Sequence, residues 1–278
     1  MIRFPNCKIN LGLNILSRRS DGYHDLETVI YPVPLFDALE IIPAVDGVFQ
    51  FRSSGLNIPG EIENNLCVRA FHLLKADFKI PEVKIHLHKV VPMGSGLGGG
   101  SSDGAFTLTM LNDLFSLGLS HGQLKDYARM LGSDCAFFID NHPRFAFEKG
   151  DRSEQVATDL SGSYLFIITP DVHVATAEAY QMVVPQIPEF SLKEVIRYPL
   201  EEWKDVLIND FEKPVFEKFP ELGRIKQELY SAGAIYASLT GSGSAIYGIF
   251  KEQPDLTLSP FRYLATSLPR YLHFGAIL

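Results

Sequence analysis

The 278-residue chain has only three cysteines, Cys7, Cys67 and Cys135, with no Cys-x-x-Cys pair and no histidine cluster at metal-ligand spacing beside them. A disulfide framework and a structural zinc site are excluded on that count, and reduced thiols are expected. No apolar run approaches the ~18 residues that a membrane span requires. Near the amino terminus, Asn6, Lys8, Asn10 and Asn14 interrupt what would be the apolar core of a signal peptide. The expectation is a soluble, cytoplasmic protein with no membrane partner. An excess of basic charge is also lacking: 25 Lys and Arg stand against 33 Asp and Glu, a net charge of −8. Such a chain has no general pull on nucleic acid or anionic lipid, so any phosphate it binds has to be held by a local device. There are no internal repeats or low-complexity tracts, and 46% hydrophobic and 21% charged residues describe a globular chain of about two domains.

What is there reads as a mixture of strands and helices. Leu11, Leu13 and Ile15 alternate with small or polar residues, and Leu26 to Val33, Leu39 to Ile42 and Val48 to Arg52 form further short β-like runs. From Asn64 the period becomes helical, with Leu66, Ala70, Leu73 and Leu74 on one face and Asn64 or Asn65 as cap. Val83, Ile85 and Leu87 then alternate with Lys84, His86 and His88, a strand that leads through a glycine-rich loop into a helix over Ala105 to Phe115. His86 and His88 read as solvent-side residues rather than a metal pair, since no third ligand is suggested. A second helix starts at a Ser120/Gln123 capping box and ends near Gly132. A polar stretch over 150 to 163 predicts a domain boundary, dividing the chain into 1–155 and 156–278. Beyond it come the strand Tyr164 to Thr169, helices over Thr176 to Val184, Leu200 to Ile208 and Glu221 to Ala232, and two strands flanking Thr240-Gly241-Ser242-Gly243-Ser244.

The loop carries the chemistry. Five glycines fall among the seven residues from Gly94 to Gly100, and glycine adopts positive φ without steric cost, so successive N–H groups can turn inward around an anion. Ser101, Ser102 and Asp103 enter the next helix, whose first turn adds unpaired N–H groups and the positive end of its dipole. Strand, glycine loop and helix together form a phosphate cradle. Gly94, Gly96 and Gly99 also satisfy a dinucleotide fingerprint, but residues 105 to 131 read as two consecutive helices where that fold needs a second strand. A Walker loop needs a Gly-Lys pair and the sequence has none; His-Arg-Asp and Asp-Phe-Gly are likewise missing, which excludes a protein-kinase site.

Three segments, Asn6-Cys7-Lys8-Ile9-Asn10-Leu11, Pro92 to Ser102 and Leu239-Thr240-Gly241-Ser242-Gly243, occur in this order. Together they resemble the three motifs of the GHMP small-molecule kinases. Asp21-Gly22-Tyr23-His24-x-Leu26, Asn65-Leu66 and Gly132-Ser133-Asp134 narrow the resemblance to the branch that phosphorylates a cytidyl diphosphate polyol of the non-mevalonate isoprenoid route. The family has a small apolar residue where Ser133 stands. The resemblance implies a two-domain α+β fold, an amino-terminal half like the second domain of ribosomal protein S5 and a carboxy-terminal half like ferredoxin. It also implies ATP as co-substrate, Mg²⁺ as cofactor and a small-molecule cytidyl diphosphate substrate.

The same resemblance implies the site. Lys8 and Asp134 form the catalytic pair, the carboxylate facing the acceptor hydroxyl. Asn65 lies at the adenine, and Pro92, Met93, Gly94, Ser95, Gly96, Leu97, Gly98, Gly99, Gly100, Ser101 and Ser102 hold the triphosphate, with Ser101 or Ser102 as the magnesium ligand. Asn10 reaches the polyol, Tyr23, His24 and Tyr180 grip the cytosine, and Gly241 and Ser242 line the cleft. Asp103 is expected either to point away from the phosphates or to contact magnesium. The rival readings are another GHMP activity on mevalonate, homoserine or a sugar, and a catalytically silent nucleotide-binding protein that keeps the fold.

Overall fold

A computed structural model describes residues 1–254 and 262–268; within the carboxy-terminal half expected over 156–278, residues 255–261 and 269–278 lie outside the described residues. The chain opens with the strands β1 (Ile2–Arg3), β2 (Asn6–Arg18), β3 (His24–Phe36), β4 (Ala38–Pro43) and β5 (Gln50–Gly55). Helix α1 (Leu66–Asp77), strand β6 (Val83–Lys89) and helices α2 (Gly99–Leu114), α3 (His121–Leu131) and α4 (Cys135–Asp140) follow. Next come β7 (Arg144–Glu148), β8 (Arg152–Gln155), β9 (Tyr164–Thr169), α5 (Thr176–Met182), α6 (Leu192–Val195) and α7 (Trp203–Val206). The elements α8 (Glu212–Lys218), α9 (Pro220–Ser231), β10 (Tyr236–Leu239), β11 (Ile246–Phe250) and β12 (Arg262–Ser267) complete them.

The strands assemble into three four-stranded sheets, ordered β1-β4-β6-β5, β2-β3-β7-β8 and β10-β11-β9-β12. Among the paired strands of the described residues only β5–β6 is parallel, which fits a chain of strands and helices mixed in α+β fashion. In the third sheet all pairs are antiparallel and the order 2-3-1-4, counting from β9, is that of a ferredoxin-like layer. The expected boundary at 155/156 falls at the end of β8, yet the halves share a core. Cys7, Ile9, Leu11 and Val29 of the second sheet pack with Leu165, Ile167, Tyr236 and Tyr247 of the third.

Local rules explain the elements that bear on the site. Asn65 caps α1, its Oδ1 accepting from Cys67 N at 2.9 Å, a contact whose loss costs about 1 kcal/mol. The Ser120/Gln123 capping box is present at α3. Helix α2 begins earlier than Ala105: Gly98 is its left-handed cap, at φ +69°, so Gly99 to Ser102 form the first turn instead of a loop before it. Sequence periodicity misses this turn because its residues are glycines and serines, which carry no apolar stripe. Three short helices also escape it, α4, α6 and α8, which have six, four and seven residues and thus too few turns for a period to show. The predicted helix over Leu200 to Ile208 is shorter, a 3₁₀ turn at Leu200–Glu202 running into α7.

Candidate active site

Strand β2 is buried on both faces and splits its residues by parity. Cys7, Ile9 and Leu11 face the shared core, while Lys8 and Asn10 face a cleft of about 1310 Å³. Lys8 N donates to Leu97 O at 2.9 Å, which sets the strand against the phosphate loop. Asn6 and Asn141 exchange side-chain amide bonds at 3.1 and 2.7 Å, tying the strand to the end of α4. Asp134 caps the other end of α4. Through these ties Lys8 Nζ comes to 3.8 Å from Asp134 Oδ2, the lysine side chain 5% exposed and the carboxylate 42%. The buried ammonium therefore underlies a carboxylate that is open to the cleft. Burial pulls the Lys8 amine below its usual value, and the Asp134 charge offsets part of that. Lys8 Nζ also donates to Asn10 Oδ1 at 2.5 Å, and Asn10 Nδ2 donates to Thr28 Oγ1 at 3.0 Å, so the amide is oriented from both sides.

The two glycine-rich segments meet. Thr240 Oγ1 donates to Gly96 O at 3.2 Å, and Ala245 N donates to Ser95 O at 3.0 Å. Gly96 has φ +83°, and a Cβ there would stand 2.0 Å from Thr240 O, so only glycine permits this approach. Gly96, Gly98, Ser101, Gly241 and Ser242 line the cleft with Lys8, Asn10 and Asp134. Asn65, Met93 and Gly100 instead line an adjoining pocket of about 100 Å³ on the other flank of the loop. Ser95 and Leu97 are buried beneath it, and the Ser95 hydroxyl donates to Pro92 O at 2.9 Å. Gly94, at φ +67°, sits against His173.

Of the two serines considered for magnesium, Ser101 lines the cleft and Ser102 is fully buried, its Oγ unpartnered among the described residues. Asp103 does not line the cleft; buried in α2, it lines the small pocket with Asn65 and Met93. Its Oδ2 accepts from Lys89 Nζ at 2.6 Å, and the same ammonium donates to Asp37 Oδ2 at 2.5 Å. Asp37 Oδ1 accepts from Val90 N and Val91 N at 2.6 and 2.8 Å, fixing the start of the loop. Burial raises the Asp103 carboxyl to about 7, against the attraction of Lys89. Sequence reasoning passed over Lys89 and Asp37; a lysine closing an alternating strand carries no signal of its own.

Tyr23, His24 and Tyr180 line the same cleft. The His24 and Tyr180 rings stack with centroids 5.0 Å apart at 24°, and Phe211 meets Tyr180 edge-on at 5.0 Å and 88°. Tyr23 is exposed, with Lys149 Nζ 5.2 Å from its ring centroid. Burial, and secondarily the Asp134 charge, raise the Tyr180 hydroxyl to about 12, so it stays neutral. Thr176 Oγ1 and Ser242 Oγ share a hydrogen bond of 3.2 Å, which joins α5 to the second glycine turn. His86 and His88 are exposed on the opposite sheet, both bonded to Ser54 Oγ.

The GHMP kinases N terminal domain matches residues 65–142, and the GHMP kinases C terminal domain matches 185–257. A protein of Cytophaga hutchinsonii named 4-diphosphocytidyl-2-C-methyl-D-erythritol kinase is 51% identical over 92% of this chain and 94% of its own length. The crystal structure of a 4-(cytidine 5'-diphospho)-2C-methyl-D-erythritol kinase superposes with a TM-score of 0.76 at 33% identity, covering 90% of each chain. Mevalonate kinase of Methanococcus jannaschii, 15% identical, covers 95% of this chain and 97% of its own at a TM-score of 0.72, a likeness of fold. With the phosphate loop, the buried lysine beneath the open carboxylate and the aromatic wall in one cleft, the chain belongs to the GHMP kinases, in the branch of the 4-diphosphocytidyl-2-C-methyl-D-erythritol kinases.

Proposed function

We propose that the protein transfers the γ-phosphoryl of ATP to the 2-hydroxyl of 4-diphosphocytidyl-2-C-methyl-D-erythritol, a step toward isoprenoid precursors by the non-mevalonate route. One observation carries the reading: Lys8, Asp134, the Tyr23, His24, Tyr180 group and the glycine segments all line a single cleft. An extended acceptor, cytosine at one end and polyol at the other, suits that arrangement. Asp134 orients the acceptor hydroxyl and takes its proton, while Lys8 stands beside the carboxylate and offsets charge on the transferred group. Asn10 bonds the polyol, and the N–H groups from Gly94 to Ser102 hold the triphosphate, with adenine toward Asn65. Transfer is direct, so catalysis rests on positioning and electrostatics.

Magnesium suits the residues present. Among the described residues no three His, Cys, Asp or Glu cluster into a dedicated cage, and Mg²⁺ keeps most of its water and takes few protein ligands. Ser101, the hydroxyl that lines the cleft, is the residue to hold it; the ion bound there with the triphosphate would neutralise phosphate charge. The halves 1–155 and 156–278 are taken as the amino- and carboxy-terminal GHMP units, and the protein as cytoplasmic, with neither nucleic acid nor membrane as partner. Among the described residues no helix is long and apolar enough to cross a membrane.

The test is ADP release with ATP and Mg²⁺ across a panel of the cytidyl acceptor, mevalonate, homoserine and galactose, with ³¹P NMR of the product. A new phosphomonoester with the cytidyl acceptor alone is expected. Turnover with a different acceptor would overturn the substrate, and ATP binding without turnover on any would leave a silent binding protein.

A further inference from the structure

Residues 209–212, just ahead of and into α8, belong to none of the motifs and contact both the Thr240-Gly241 turn and the Tyr180 ring. Asn209 is 1% exposed, and its amide is fully engaged. Its Nδ2 donates to Leu239 O and to Gly241 O, each at 2.9 Å, and its Oδ1 accepts from Phe211 N at 3.0 Å. The two carbonyls bracket Thr240, whose Oγ1 accepts from Asn10 N at 3.1 Å and donates to Gly96 O at 3.2 Å. The backbone around Asn209 pairs with β2: Leu13 N donates to Ile208 O at 2.9 Å, and Asp210 N donates to Leu13 O at 2.8 Å. Asp210 Oδ2 adds a bond from Ile15 N at 2.7 Å, and Glu212 Oε1 one from Leu239 N at 2.9 Å. In the other direction Phe211, whose N–H the Asn209 side chain caps, stands edge-on to Tyr180, which stacks on His24.

We infer that Asn209 is a positioning residue that holds the Thr240-Gly241 turn against the phosphate loop and Asn10 and, through Phe211, seats the Tyr180 wall. The phosphoryl end and the base end of the cleft are thereby kept in one register; the inference rests on the kinase reading for the reaction that feels their misplacement. A shift of about 1 Å at such a site costs on the order of a hundredfold in rate. Asparagine suits the post because it alone combines two long-range donors with a local acceptor two residues from the N–H it caps. Serine would keep the local cap and lose both long-range donors.

Asn209→Ser and Asn209→Ala separate the two roles. Thermal unfolding, amide exchange over 239–244, and kcat and KM for ATP and for the cytidyl acceptor are measured in each. Serine is expected to restore much of the thermal stability that alanine loses. Both variants are expected to lose exchange protection in the turn and to fall at least about tenfold in kcat, on the order of the positioning effects seen elsewhere. The ATP KM should rise less than kcat falls, because Asn65 and Met93 lie in the other pocket and keep their contacts. Recovery of kcat together with stability in Asn209→Ser would reduce Asn209 to a helix cap and overturn the inference. Should that variant fail to fold, Asn209→Asp, which also keeps the acceptor and loses the donors, is read in the same way. A wild-type protein inactive on the cytidyl acceptor would remove the substrate reading alone. Exchange over 239–244 still decides the clamp in that case, and undiminished protection in the variants overturns it.

Discussion

Lys8 Nζ lies 3.8 Å from Asp134 Oδ2, a buried ammonium beneath a carboxylate that opens to the cleft. Their contact joins a strand to the end of a short helix, and the Asn6–Asn141 amide pair clamps those two elements together. The pair is asymmetric: the lysine is enclosed and so fixed, whereas the carboxylate is free to meet an acceptor hydroxyl. That asymmetry leads to the first two predictions.

Asp134→Asn keeps the shape of the side chain and removes its charge and basicity. Turnover should fall by about 10²- to 10⁴-fold, the usual range for a lost general base. ATP binding, measured by calorimetry with a non-hydrolysable analogue, should change little, since the carboxylate is not on the adenine side. Turnover near the wild-type level would remove Asp134 from the reaction.

Burial lowers the Lys8 pKa from the usual 10.5, so its proton leaves at lower pH than that of a free lysine. The basic limb of the kcat profile should therefore fall below the ordinary lysine range. Lys8→Arg, whose charge persists past pH 12, should move that limb upward while lowering the plateau. The linkage sign is fixed: between the folded value and 10.5 the unfolded chain binds more protons, so this group makes stability rise with pH there. Lys8→Met should abolish that part of the slope in unfolding titrations.

The stack of His24 on Tyr180 forms an aromatic wall of the cleft, the one proposed for the base. Base–aromatic stacking is worth about 1–3 kcal/mol, so Tyr180→Ala should raise the acceptor KM by about 5- to 150-fold. Tyr180→Phe should stay near wild type, and the ATP KM should hold in both. An unchanged acceptor KM in the alanine variant would leave the wall without a role in binding.

Two glycines in different settings should behave oppositely. Gly96→Ala drives a Cβ to 2.0 Å from Thr240 O at φ +83°, and should cost more than about 2 kcal/mol while separating the two glycine segments. Gly122 sits exposed in α3 with nothing within 4 Å of a built Cβ, so Gly122→Ala should gain about 0.5–1 kcal/mol. Chemical denaturation of both variants decides the contrast.

By itself the sequence determined the elements whose code is local. The helix start at Asn64 or Asn65, the capping box at Ser120 and the glycine loop are each set by neighbours a few residues away, and all stand in the fold. The spacing of Lys8 and Asn10 likewise placed both on one strand face, because strand parity is a property of the backbone. Only the tertiary structure sets Ser101 apart from Ser102, since one helical step of about 100° turns the first to the cleft and the second into the core. Only it could show that Asp103 is spent on Lys89, or that Asn209 braces the Thr240 turn, because a buried amide or ion pair is defined by what the rest of the chain brings to it. Motif spacing specifies local conformation, whereas partners far apart in sequence meet only when the sheets and helices pack.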